Sequence, residues 1–135
     1  MAKDDSVLSL RSSGSSRVFQ MEARGESYLI ATLIGPTLSG AVEVWVETGD
    51  VEGLANFFAE LAAFEVPWKG SRTWSSLEGD LALAASCTDL GSVTFQVGMS
   101  GMLGAPEEWR LQAGLETEFG QLGRLAADAK DLVNG

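Results

Sequence analysis

Glu78 and Asp80 stand two residues apart in an alternating apolar stretch, and carboxylates at that spacing on a strand share one face. Such a pair can hold a divalent cation or do acid–base work, and it can equally be the solvated side of a pleated strand. No other residue completes the chemistry. The chain contains no histidine, so imidazole-activated nucleophiles, histidine zinc sites and proton relays near neutral pH lose their usual agent. Cys87 is the lone cysteine, which excludes an intramolecular disulfide and a four-cysteine zinc site and reads as a reduced, buried thiol. Lys69-Gly70-Ser71 lacks the spacing of a phosphate loop, and Gly98, Gly101 and Gly104 recur every third residue without the strand-to-helix transition that binds pyrophosphate. The expectation is a protein that is not an enzyme and takes no metal or cofactor.

The tryptophans offer binding rather than catalysis. Trp68 and Trp74 flank Arg72 at what reads as a helix-to-strand junction. One reading has them closing the end of the core, each indole N–H meeting a carbonyl; the other makes Trp68, Arg72 and Trp74 a platform for a small anionic ligand. Trp45 lies between Glu43 and Glu47. If Val42, Val44 and Val46 form the core face, that indole looks outward among carboxylates and suits a basic, partly apolar protein surface, unless a helix covers it. Glu43, Trp45, Glu47, Asp50 and Glu52 are then the partner-binding candidates.

Charge supports the same partner. The chain has 19 acidic and 9 basic residues, a net charge of −10, and residues 37–66 carry six acids and no base. Such a field repels nucleic acid and anionic lipid and speeds encounter with a basic protein. No apolar run approaches the roughly 20 residues that span a bilayer, and the N-terminus lacks the basic and apolar regions of a signal peptide. A cytoplasmic location is expected.

The elements that must position these residues follow from periodicity. At 135 residues, residues 1–135 fit one domain, burying about two thirds of the surface of the unfolded chain. Strands are expected at Val7–Arg11, Arg17–Ala23, Tyr28–Ile34 and Leu38–Thr48, with turns at the SSGSS stretch, Arg24–Glu26 and Gly35-Pro36. Thr48 or Asp50 caps a helix whose apolar stripe is Val51, Leu54, Ala55, Phe58, Leu61 and Ala62, widened by Phe57 and Phe64 and ended before Pro67. A long strand from Leu77 to Cys87 pairs with one carrying Val93, Phe95, Val97 and Met99; a glycine-rich loop reaches Pro106, and a strand with Trp109, Leu111, Ala113 and Leu115 follows. Thr117 caps a final helix with the stripe Phe119, Leu122, Leu125, Ala126, Ala129, Leu132 and Val133. The expected class is α+β, a mostly antiparallel sheet of about seven strands with two helices in the order ββββαβββα. The halves echo each other, Glu47-Thr48 before the first helix matching Glu116-Thr117 before the second.

Trp68, Lys69 and Gly70, then Trp74 through Leu83 with Glu78-Gly79-Asp80, then Asp89 through Val97 with Gly91, Trp109, and Glu118 through Leu122 form a pattern spanning residues 68–125. It resembles a family of small bacterial proteins of unknown function common in actinobacteria, which is similar to immunity proteins encoded beside cell-wall-associated polymorphic toxins. The resemblance carries over no catalytic residue, and its motif residues look like fold determinants. It implies an interaction protein, an immunity factor that blocks a basic toxin. The competing class is a small-molecule-binding domain using the Trp68–Trp74 loop or a sheet–helix pocket. Open sheet edges leave a homodimer as a further option.

Overall fold

The computed structural model describes residues 7–25, 27–46 and 48–134, the side chains of 48–51, 133 and 134 excepted. Four strands come first: β1 (Val7–Arg11), β2 (Val18–Arg24), β3 (Tyr28–Ile34) and β4 (Ser39–Trp45). Helix α1 (Thr48–Ala63) follows, then β5 (Arg72–Ser75), β6 (Leu81–Cys87), β7 (Ser92–Gly101) and β8 (Trp109–Glu118). A short 3-10 turn at Phe119–Gln121 leads into α2 (Leu122–Asn134). The α+β class holds, but eight strands form two antiparallel sheets, β1-β2-β3-β4 and β5-β6-β7-β8, where about seven strands in one were expected.

Each sheet buries one face because its strands alternate apolar and polar residues with period two. Leu8, Leu10, Phe19, Met21, Leu29, Ala31, Leu33, Val44 and Val46 point inward from the first sheet. Leu81, Leu83, Ala85, Val93, Phe95, Val97 and Met99 do so from the second, and both sets belong to one core. The valine face of β4 is therefore the core face, with Val42 half-buried at its margin.

The helices pack on each other, and each lies against the first strand of the opposite half, α1 on β5 and α2 on β1. Leu54, Phe57, Phe58 and Leu61 of α1 and Leu122, Leu125, Ala129 and Leu132 of α2 supply their buried stripes. Phe58 meets Phe95 with ring centroids 5.9 Å apart. The Thr48 and Asp50 caps and the Val51 and Val133 contacts lie outside the described residues.

Three local expectations change. The strand expected from Leu77 begins at Leu81, because residues 76–80 form the hairpin turn between β5 and β6. Ser76 Oγ accepts from Leu81 N–H (3.1 Å) and donates to Asp80 Oδ1 (2.6 Å), and Gly79 takes φ +78°, a left-handed conformation that favours glycine. Thr117 does not cap a helix. It is the buried penultimate residue of β8, and Glu118 precedes the 3-10 turn without a side-chain cap. The glycines near 100 do not all loosen the chain: Gly101 pairs with Trp109 in the β7–β8 ladder, where a Cβ would overlap the indole.

Candidate functional site

Trp45 stands opposite Tyr28 in the β3–β4 ladder, and Glu43 stands opposite Ile30. All four alternate with core residues, so they share the outer face of the first sheet. The Val46 N–H donates to Ser27 O at 2.8 Å. Antiparallel ladders alternate, so Tyr28 and Trp45 form a non-hydrogen-bonded pair whose side chains stand close, while the backbone groups of Glu43 and Trp45 point to the free side of β4.

Across that free side stands the β5–β6 turn. Tyr28, Glu43, Trp45 and Glu78 line an open groove of about 340 Å³. Trp45 is half-buried and Tyr28 exposed, so no helix seals the indole. The described ion pairs engage Glu60, Glu108 and Asp128, which leaves Glu43 and Glu78 without a cation among the described residues.

Of the five partner-binding candidates, the structure brings Glu43 and Trp45 together. Glu52 is exposed on α1 and does not line this groove. Glu47 and the Asp50 side chain lie outside the described residues. Tyr28 and Glu78 complete the groove; the sequence offers Glu78 only as half of a carboxylate pair with Asp80 and does not single out Tyr28. Tyr28 was within reach, since the turn at Gly35-Pro36 fixes the register that sets it beside Trp45. Glu78 carried no such signal while its segment read as strand. Nor do Glu78 and Asp80 act as a pair: Glu78 faces the groove, and the Asp80 carboxylate is held within the turn by Ser76. Among the described residues no group of three or more His, Cys, Asp or Glu could hold a metal ion.

The second candidate site divides in two. Trp68 is buried, its Nε1–H donating to Ala85 O at 3.3 Å. Its ring stacks on Phe64 at 5.2 Å and tilts against Phe119 at 6.3 Å. It closes the end of the core. Arg72 and Trp74 instead line a groove of about 340 Å³ between β5 and α1 with Gly53, Asn56, Phe57 and Glu60. The Arg72 guanidinium lies 5.3 Å from the centre of the Phe64 ring and 3.7 Å from the Glu60 carboxylate.

Cys87 is half-buried rather than buried, and its Sγ–H donates to Thr88 O at 3.4 Å. Burial, then the Asp89 charge, pushes its thiol up, against a smaller opposing hydrogen bond from the Trp68 backbone. It stays protonated at neutral pH and is a poor nucleophile. Glu108 moves the other way: the Gly104 N–H, at 2.8 Å, and Arg110 hold its carboxyl below the usual range.

The fold and groove define a two-sheet α+β protein with an acidic, aromatic surface groove. The profile of DUF6228, described as a family of unknown function, matches residues 2–135, and the chain belongs to that family. No curated protein and no solved structure matches the chain. Among the described residues no helix is long and apolar enough to cross a membrane.

Proposed function

We propose that this chain is a non-enzymatic interaction module that docks a basic protein on the outer face of its first sheet. The observation that carries the reading is the half-exposed Trp45 indole, set beside Tyr28 between two carboxylates from different elements. Aromatic residues at the centre of a contact supply most of its apolar energy, and flanking charges set orientation and encounter rate. The net charge of −10 adds long-range attraction for a basic surface. With the resemblance in residues 68–125, the partner takes a specific form: a basic toxin, with this protein as its cytoplasmic immunity factor.

The small-molecule reading has less support. The Arg72–Trp74 groove has the same volume, but its guanidinium is already engaged by Glu60 and Phe64, and Trp68 does not reach it.

The test is to express any basic protein encoded by a neighbouring reading frame and measure complex formation by calorimetry across a salt series. Affinity is expected to fall as salt rises, and Trp45→Ala to weaken binding at least about tenfold, the cost of losing an aromatic anchor. A salt-independent complex, or one that Trp45→Ala leaves intact, would overturn the proposal.

A further inference from the structure

Each half of the chain is a four-stranded antiparallel meander followed by a helix, and each half sets its first turn beside the last strand of the other. The β1–β2 turn lies on the free edge of β8. Ser13 N–H donates to Glu116 O (2.8 Å), Ser12 Oγ accepts from Glu116 N–H (3.1 Å), and Arg17 Nη1 donates to Gly114 O (2.9 Å). The β5–β6 turn takes the matching place beside β4, where Glu78 shares the groove with Glu43 and Trp45. There the cover lacks its cation. Arg17 immediately precedes β2, whereas the residue immediately preceding β6 is Asp80, bound within its own turn. Among the described residues no hydrogen bond crosses from this turn to β4, so the outward carbonyls of Glu43 and Trp45 stay unclaimed.

We infer that an arginine side chain of the basic partner fills this place, its guanidinium lying against Trp45 and Tyr28 between the carboxylates of Glu43 and Glu78. It donates to the β4 edge as Arg17 does to β8. The inference rests on the docking reading above and adds the identity of the anchoring group. A guanidinium matches every feature of the groove: a flat face for the rings, a fork of donors for two acids and a carbonyl, and a charge that never dissociates. An ammonium offers a point charge with no planar face. Arg24, the basic residue nearest by register, sits beyond Tyr28, two strand spacings or about 10 Å from Trp45, and does not line the groove.

The test titrates the ¹⁵N-labelled protein with an arginine–glycine peptide and, separately, a lysine–glycine peptide of equal length. The Trp45 indole N–H resonance is the readout, assigned by its loss in Trp45→Phe. The arginine peptide is expected to move that resonance while leaving Trp68 in place, and the lysine peptide to bind roughly tenfold more weakly. Glu43→Gln and Glu78→Gln, both at exposed positions and checked for an otherwise unchanged spectrum, each weaken the arginine peptide about fivefold. Equal affinity for the two peptides, or indifference to both glutamine variants, overturns the arginine assignment and leaves basic docking standing. If neither peptide moves Trp45, the docking reading falls with it.

Discussion

The last strand of each half meets the same situation and resolves it differently. The free edge of β8 is covered by the β1–β2 turn through backbone, serine and arginine hydrogen bonds, whereas β4 faces an acidic turn across an open groove. An uncovered edge is a liability, since unpaired N–H and C=O groups template association. This molecule covers its other edges: Arg124 of α2 donates to Ser9 O of β1 at 3.2 Å, and β5 lies against α1. The β4 edge lies near β7 and the β5–β6 turn yet takes no described hydrogen bond from that turn, and this is where association is to be sought.

The two tryptophans separate these regions most sharply. Trp68 fills core space between Phe64 and Phe119, so Trp68→Ala leaves a cavity and is expected to cost about 3–5 kcal/mol, read by chemical denaturation. Trp45→Ala, on β4, is expected to cost under about 1 kcal/mol, as a half-exposed surface position. Comparable losses would mean that Trp45 serves the fold, and the contrast between the edges would collapse.

The turns give a smaller contrast. Arg17→Met keeps the aliphatic stem and removes the donor to Gly114 O, leaving a partly buried carbonyl short of a partner; the expected loss is about 1–2 kcal/mol. Glu78→Gln faces solvent and no described cation, so stability should change by less than about 0.5 kcal/mol. If Glu78→Gln proved as destabilising as Arg17→Met, the second turn would be a structural cover too.

Most of the architecture was legible because alternation and helical spacing report burial directly. Val44 and Val46 inward with Trp45 outward, the α1 stripe and the β7 core face all follow from period alone. The signal failed where a turn preserved the period. Leu77, Gly79 and Leu81 keep the spacing of a strand, but Ser76 and the left-handed Gly79 reverse the chain there, so the period hides β5 and sets Glu78 on a strand face. The cross-half contacts had no local signature. Arg17 and Gly114 are 97 residues apart, and only the folded arrangement of two meanders joins them. The groove was half visible for the same reason: Glu43 and Trp45 belong to one strand, while Glu78 comes from the other half.

Glu108 tests whether a charged turn contact matters when it is exposed. Its carboxylate accepts from the Gly104 N–H (2.8 Å) and pairs with Arg110 (3.0 Å) across the β7–β8 loop, so the loop is closed by a side chain as the β8 edge is covered by Arg17. Both contacts favour the ionised form and set the folded pKa below the unfolded one. The unfolded state then binds the proton more readily. The stabilisation is complete above the unfolded pKa and disappears as pH falls through the depressed folded value. A carboxyl-detected NMR titration should place the Glu108 midpoint below those of unpaired surface glutamates, and Gly104 amide protection should fade over the same acidic interval. Because the group is exposed, Glu108→Gln should shift denaturation less than Arg17→Met does. A midpoint at the ordinary glutamate value would show that the contact holds no charge preference, and that covering a turn in this fold requires partial burial as well as a hydrogen bond.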